Sequence, residues 1–259
     1  MKGRQSFISA PWIVFSLRRA PQRCRRKWAL RVLSLSPHYF YRDAADYKGM
    51  PQAQFLEEEF KRNTGSRERI CERALSPYLA KTDTVLDYGC GPGFFARCVS
   101  RRVRRVFAVD ISTGALECAK ILNAAENVAY VTPAEMNRQV EDSAVDLVYS
   151  FAVIQHVTDS VFEDILENCR NKMKTGGTLL FHVMLSGALS EGEWRKDRSW
   201  YGRVKWHYGL NCFSRTEQEA RHLVEKHGFR VRKVVNLRDV FEEVFDDICS
   251  QHLIVAEKI

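Results

Sequence analysis

The chain has 259 residues, 45% hydrophobic and 28% charged, enough for one α/β domain of about 200 residues plus an extension. The formal net charge of +8 is unevenly placed: Met1 to Arg42 carry ten Lys or Arg and no acid, leaving 30 basic against 32 acidic residues in the remainder. That is not the distribution of a uniformly basic nucleic-acid-binding domain. The eight cysteines (24, 71, 90, 98, 118, 169, 212 and 249) form no CxxC pair, and no His/Cys cluster has zinc-finger spacing. Reduced thiols, no metal site and a cytoplasmic address are therefore expected.

Three stretches follow in order: a basic arm (1–42), lead-in helices (43–81) and the main domain (82–259). No apolar run approaches the 18 or more residues that span a bilayer. Phe7 to Leu17 is interrupted by Ser9, Pro11 and Ser16 and lacks a clear cleavage site, so it makes a poor secretory signal. The acid-free, Arg-rich arm also has the composition of a mitochondrial transit peptide. Within it, Cys24 to Leu35 reads as a helix with Trp28, Ala29, Val32, Leu33 and Leu35 opposite Arg25, Arg26 and Arg31. Three roles for the arm stay open: a helix packed on the domain, a basic amphipathic surface for anionic membrane, or a cleaved targeting segment. Phe55, Leu56 and Phe60, then Ile70, Ala74 and Tyr78, give the lead-in stretch its helical spacing.

From Thr82 onward strands and helices alternate. Strands are expected at Thr84–Tyr88, Val103–Val109, Val128–Thr132, Val145–Phe151, Thr178–Met184, Phe229–Leu237 and His252–Glu257. Phe162, Ile165, Leu166, Cys169 and Met173 repeat at helical spacing behind a Ser160/Glu163 capping box, with Gly176 suited to the helix end. Ser214 and Glu217 read as a second capping box, before a helix that ends near Gly228. This alternation means an open, mostly parallel α/β sheet.

Two segments carry the chemistry. Val85-Leu86-Asp87-Tyr88-Gly89-Cys90-Gly91-Pro92-Gly93-Phe94 runs a buried strand into a glycine turn and a helix. Gly89 and Gly91 let the backbone turn sharply beside a ligand at the strand's carboxyl end. A dinucleotide GxGxxG pattern would need glycine where this chain has Phe94, and no P-loop Lys-Ser/Thr follows. Asp110 ends the second strand about 20 residues after the glycine turn, where a carboxylate accepts both hydroxyls of a ribose. Ser112 is placed to cap the next helix, which leaves Asp110 for that role, and Ile111 would lie against an adenine face.

VLDYGCGPG followed by VFAVDIS resembles the first two motifs of the class I S-adenosylmethionine-dependent methyltransferases. VDLVYSFAVIQHV resembles their fourth motif, and MKTGGTLLFHV their fifth-strand segment. The resemblance covers about Thr64 to Ile259. It implies a seven-stranded doubly wound sheet, mostly parallel, with the last strand antiparallel and a helical extension in front. It also implies S-adenosyl-L-methionine as cofactor, with Asp87, Gly89, Cys90, Gly91 and Gly93 around the methionine part and Asp110 and Ile111 at the nucleoside. Such enzymes often place an acid after the third strand for the adenine amino group. Here Pro133 falls near that position, so Ala134, Glu135 or a backbone carbonyl must substitute. Ser150 and Phe151 end the fourth strand under the cofactor.

His156, just beyond, is a candidate general base on the methyl acceptor, since imidazole titrates near neutrality; the alternatives are shaping the cofactor pocket and packing locally. No Asn/Asp-Pro-Pro-Tyr/Phe segment follows the fourth strand, which points to a small-molecule, glycan or lipid-linked acceptor over nucleic-acid bases. Ser186 to Phe213 is long for a connection. Its Trp194, Trp200, Tyr201, Trp206, His207, Tyr208 and Phe213, among Arg195, Lys196, Arg198, Arg203 and Lys205, read as a substrate lid. An RNA or protein methyltransferase using the basic arm, and a non-catalytic interaction domain, are the competing functions.

Overall fold

The computed structural model describes residues 7–36, 39–40, 49–186, 188–196, 199–200, 211–241 and 251–259. Seven strands form one sheet: β1 (Thr84–Tyr88), β2 (Arg105–Val109), β3 (Val128–Val131), β4 (Val145–Ser150), β5 (Met173–Met184), β6 (Phe229–Asn236) and β7 (Gln251–Lys258). Their order is β3-β2-β1-β4-β5-β7-β6. The β1–β2, β1–β4, β2–β3 and β4–β5 pairs are parallel, and β7 runs antiparallel to both β5 and β6. The order reverses at β1, so the carboxyl ends of β1 and β4 flank the crevice where open α/β sheets bind ligands. β1 is buried along its whole length, as a central parallel strand covered on both faces must be.

Along β1 successive side chains serve opposite cores. Val85 joins one cluster with Val106 and Leu147; Leu86 joins another with Phe107, Val148 and Phe162. The helices on the sheet are α4 (Phe94–Val99), α5 (Thr113–Leu122), α6 (Pro133–Gln139), α7 (Asp159–Lys172) and, beyond the short α8 (Glu191–Lys196), α9 (Glu217–Lys226). They are preceded by α1 (Pro11–Arg19), α2 (Gln22–Leu33) and α3 (Gln52–Ile70).

The N-terminal helices make a third core. Ile8, Ile13, Leu17, Leu30 and Leu33 are fully or nearly fully buried with Phe94, Ala115 and Cys118 of the main domain. Each such aliphatic side chain contributes about 1.5–3 kcal/mol of burial free energy before chain entropy is counted. The contact extends to backbone: a Cβ on Gly114, in α5, would lie 1.9 Å from the carbonyl oxygen of Ile8. Arg18 pairs with Glu117 of α5 at 3.0 Å. The lead-in spacing is realised in α3, where Phe55 and Leu56 are buried.

Four local expectations are corrected. Helix α2 ends at Leu33, so Leu35 leaves the apolar face and is exposed, while Leu30 joins it. Helix α7 starts behind Thr158 without a side-chain cap. The Asp159 N–H instead donates to Glu191 at 2.9 Å, and Glu163 accepts from Lys226 at 2.7 Å. A tertiary partner has taken the place of the Ser160/Glu163 box. Gly176 (φ 78°) lies within β5, beyond the end of α7 at Lys172. Before α9 the box is Thr216/Glu219, two residues later than expected, because Ser214 Oγ donates to Ala188 O at 2.6 Å and Arg215 N donates to Met184 O at 3.0 Å. Those contacts keep the chain extended through Arg215.

Candidate functional site

The site begins where β1 ends. Gly89 (φ 84°), Gly91 (φ 51°) and Gly93 (φ 82°) all adopt left-handed backbone, which a Cβ makes costly. Space is also restricted: a Cβ at Gly89 would lie 2.2 Å from Val153 Cγ2, and one at Gly93 would lie 2.5 Å from the Tyr130 hydroxyl. The turn is laced to β2, since Gly89 N and Cys90 N both donate to Val109 O (2.7 and 2.9 Å). Phe94, which stands where a dinucleotide site needs glycine, packs on Phe60 of α3 with ring centroids 5.3 Å apart. The substitution thus follows from the N-terminal layer.

Asp110 closes the corner from the other side. Its Oδ2 accepts from Gly91 N at 2.8 Å and its Oδ1 from Ser112 N at 2.7 Å. Burial raises its carboxyl pKa, and these two N–H bonds pull it back. Each oxygen keeps a second lone pair for a ligand hydroxyl. Ser112 caps α5 by accepting from Ala115 N, leaving the Asp110 side chain outside the helix cap. The neighbouring Ile111 is 53% exposed, a large apolar side chain at the mouth of a polar corner.

Asp87 lies inside the turn and is 2% exposed. Burial pushes its carboxyl up to about 8, with the Asp110 charge adding to the rise and the nearby Tyr149 hydroxyl opposing it. Asp87 Oδ2 and the Tyr149 hydroxyl lie beside each other, close enough to interact but outside good hydrogen-bond geometry. Two incompletely satisfied buried polar atoms beside a glycine turn fit a ligand that carries positive charge and donors, as the amino-acid end of S-adenosylmethionine does. Cys90 is buried beside them, and its Sγ lies 3.6 Å from Gly91 O; burial raises its thiol pKa well above the ordinary range.

Below the turn, Ser150 Oγ donates to Tyr88 O at 2.8 Å and ties β4 to β1. Phe151 stacks on His182 (5.3 Å, 8° between planes). His182 Nδ1 accepts from Ala152 N at 3.0 Å, so its ring proton sits on Nε2, and burial holds its pKa down to about 4. Ala152 has φ 57°, a left-handed conformation in a non-glycine residue held by that bond. This strained corner delivers Val153 over Gly89.

His156 follows, half-buried. Its Nδ1 lies 2.9 Å from the carbonyl oxygen of Asn211, which fixes the proton there and leaves the lone pair on Nε2, facing Gln155 Nε2 at 3.4 Å. The loop that carries it is clamped by the buried Arg215. That guanidinium donates to Ile154 O (3.1 Å), Val157 O (2.8 Å) and Asp159 Oδ1 (2.7 Å). Asn211 is buried with both amide atoms unpartnered, and so is Gln155 Oε1. Incompletely satisfied polar groups therefore gather around His156 as well as around Asp87.

Of the expected adenine contacts, Ala134 sits exposed in the first turn of α6. Glu135 folds back into a capping box, its Oε2 accepting from Thr132 N and Thr132 Oγ1 at 2.8 Å each. Tyr201, Arg203, Lys205, Trp206, His207, Tyr208 and Arg198 of the expected lid lie outside the described residues. Of its described part, Trp194 Nε1 donates to Cys212 O at 2.9 Å, Phe213 N donates to Gln155 O at 2.7 Å, and Trp200 is exposed.

Sequence reasoning missed Arg215, Tyr149 and His182. A histidine inside the apolar strand segment LLFHV was the one available signal. It missed Tyr39 too, whose ring lies beside Gly91 although it belongs to the N-terminal segment. Among the described residues no group of three or more His, Cys, Asp or Glu is arranged to hold a metal ion, and no helix is long and apolar enough to cross a membrane.

Residues 86–181 match the family described as "Methyltransferase domain". They contain the glycine turn, Asp110 and His156. The chain carries a class I methyltransferase domain. Malonyl-[acyl-carrier protein] O-methyltransferase of Serratia marcescens is 31% identical to it over 109 residues, 42% of this chain and 41% of that protein. A ubiquinone biosynthesis O-methyltransferase of Serratia proteamaculans is 31% identical over 104 residues, 39% and 42% of the two chains. The chain thus spans about two fifths of the length of these curated relatives. Among solved structures, geranyl diphosphate methyltransferase in complex with SAM superposes with a TM-score of 0.55 at 16% identity, covering 85% of this chain and 99% of that one. Phosphoethanolamine N-methyltransferase 2 of Haemonchus contortus gives 0.53 at 19% identity, covering 77% and 52%. The methyltransferase domain has the fold of these proteins, with the expected seven strands and antiparallel final strand.

Proposed function

We propose that this chain transfers a methyl group from S-adenosyl-L-methionine to a small-molecule, glycan or lipid-linked acceptor. The observation that carries the reading is the corner formed by Gly89–Gly93, Asp110 and the buried, incompletely satisfied Asp87 and Tyr149 groups. When bound, the cofactor supplies an electrophilic methyl on a sulfonium. Asp110 accepts the ribose hydroxyls. Asp87, kept largely protonated below pH 8 by burial, ionises against the incoming positive charge. Ile111 covers an adenine face, and Ser150 and Phe151 form the floor. Ala134 and Glu135 stand at the adenine edge; with the Glu135 carboxylate engaged at Thr132, backbone groups of that turn supply the adenine contacts.

Two relatives are named as O-methyltransferases, which supports an oxygen acceptor. His156 Nε2 would take the proton of that oxygen, the cofactor supplying the methyl group. The Asn211 carbonyl holds the imidazole in the required tautomer, and Arg215 fixes the loop that carries it. In-line placement is the larger requirement, and the clamped Ile154–Asp159 loop supports it.

A peripheral membrane contact is a second reading, favoured by one observation. Trp12 and Phe15 of α1 are 59% and 60% exposed beside Arg18 and Arg19, although Ile13 and Leu17 on the other face are buried in the domain. Aromatic rings flanked by cations suit an anionic lipid surface and would bring the domain to a lipid-linked acceptor.

The test is transfer of labelled methyl from S-adenosylmethionine into cell-extract fractions separated as lipid, glycan, small molecule, RNA and protein. Label is expected in one of the first three. Label in RNA or protein moves the assignment to the competing class. Cofactor binding with no transfer to any fraction supports a non-catalytic domain.

A further inference from the structure

We propose that Tyr39 is a cofactor-positioning residue, supplied to the methyltransferase domain by the N-terminal extension. Its ring walls the nucleoside site over Gly91, and its hydroxyl meets the Asp110–Ser112 edge. The proposal rests on the cofactor reading above and goes beyond it, because Tyr39 lies outside residues 86–181, which match the family.

Three observations converge on this placement. A Cβ built on Gly91 would come within 3.0 Å of Tyr39 Cε1, so the ring stands directly over the left-handed glycine at the centre of the turn. The Tyr39 hydroxyl is hydrogen-bonded to Ser112 and feels the Asp110 charge; with burial as the larger cause, its ionisation is pushed well above the ordinary phenol range. Earlier residues of the extension are anchored at the same place. Ser9 Oγ lies 2.9 Å from Ser112 Oγ, Ile8 O sits against Gly114, and Arg18 pairs with Glu117. Ser112 thus receives two contacts from the extension while its neighbour Asp110 faces the ligand corner.

The consequence concerns completeness of the site. Asp110 approaches a ribose from the β2 side and the glycine turn approaches from the β1 side. Both lie within the family-matched residues, and Tyr39 stands on a further side, over Gly91. The extension brings an aromatic face to that side. An aromatic wall stacks on a nucleoside with little loss of its own conformational freedom. The glycine at 91 is then required twice, once by backbone conformation and once by the tyrosine above it.

The experiment is calorimetric titration of the full chain with S-adenosylhomocysteine and with adenosine, for wild type, Tyr39→Phe, Tyr39→Leu and Tyr39→Ala. Circular dichroism and unliganded melting serve as controls of folding. Tyr39→Ala is expected to weaken both ligands by the same factor, about three- to tenfold. Tyr39→Phe keeps the ring and should recover most of that affinity, a rescue that general loosening of the arm would not produce. If Tyr39→Ala does not fold, Tyr39→Leu preserves packing volume and carries the same expectation. Wild-type affinity in a folded Leu or Ala variant overturns the proposal. So does tighter binding, which would make the ring a plug. Absence of binding to the wild type would instead remove the cofactor reading itself.

Discussion

Asp110 offers the sharpest perturbation, because its two oxygens already serve the protein. Asp110→Ala leaves the Gly91 and Ser112 N–H groups without the acceptors they have at 2.8 and 2.7 Å. Each orphaned donor costs about 1–3 kcal/mol, offset in part by relief of the buried carboxylate. A net loss of about 2 kcal/mol lowers the melting temperature by about 4–8 °C in a chain of this size. The same substitution removes a charged acceptor for the ribose, worth about 1.5–3 kcal/mol, or at least a tenfold loss of S-adenosylhomocysteine affinity. Asp110→Asn separates the two effects. It keeps one acceptor oxygen for a backbone N–H, so melting falls less, while affinity still drops because the charge is gone. Calorimetry and melting curves on both variants provide the assay. Wild-type affinity in either folded variant would refute the ribose assignment, whatever happened to stability.

Four further outcomes are expected. Gly91→Val should abolish S-adenosylhomocysteine binding with most of the fold intact, since its φ of 51° and the Tyr39 ring both oppose a branched side chain; normal binding would mean the turn does not face the ligand. His156→Ala should lower turnover more than cofactor affinity, and equal losses would make it a pocket residue. Asp87 gives a pH signature: its carboxyl is raised to about 8 in the folded chain, so its contribution to stability is present below pH 4 and is lost as pH rises through 8. A cationic ligand reverses this, so binding at pH 7 should release about one proton, read from calorimetry in buffers of different ionisation enthalpy; no release, or none lost in Asp87→Asn, would contradict the role. For the arm, Trp12→Ser with Phe15→Ser should reduce salt-sensitive co-sedimentation with anionic liposomes, and wild-type protein that stays in solution would remove the membrane reading.

The legibility of this chain divides by range. The seven strands were placed within a few residues, because buried parallel strands read as continuous apolar runs and the helices between them keep their own period. The Ser112 cap was legible because its partner Ala115 lies three residues away, and the glycine turn because its three glycines mark it directly. Helix starts failed where a distant group intervened. Glu191 satisfies the α7 start, and Ala188 holds Ser214 out of a cap. Glu135 was read as an adenine partner, yet a box with Thr132, three residues away, engages its carboxylate. The docking of the arm was one of several open readings, since amphipathic spacing does not say which surface the apolar face meets. Nothing in the sequence near Tyr39 announces that it reaches Gly91, and nothing near Arg215 announces a clamp on the His156 loop.

A crystal structure of the full chain with S-adenosylhomocysteine tests the central claim most directly. The ribose should lie on Asp110, the amino-acid end should reach Asp87 and Tyr149 across Gly89–Gly91, and the thioether sulfur should point toward His156. Ligand density away from the β1 and β4 carboxyl ends, or a nucleoside without contact to Asp110, would contradict it.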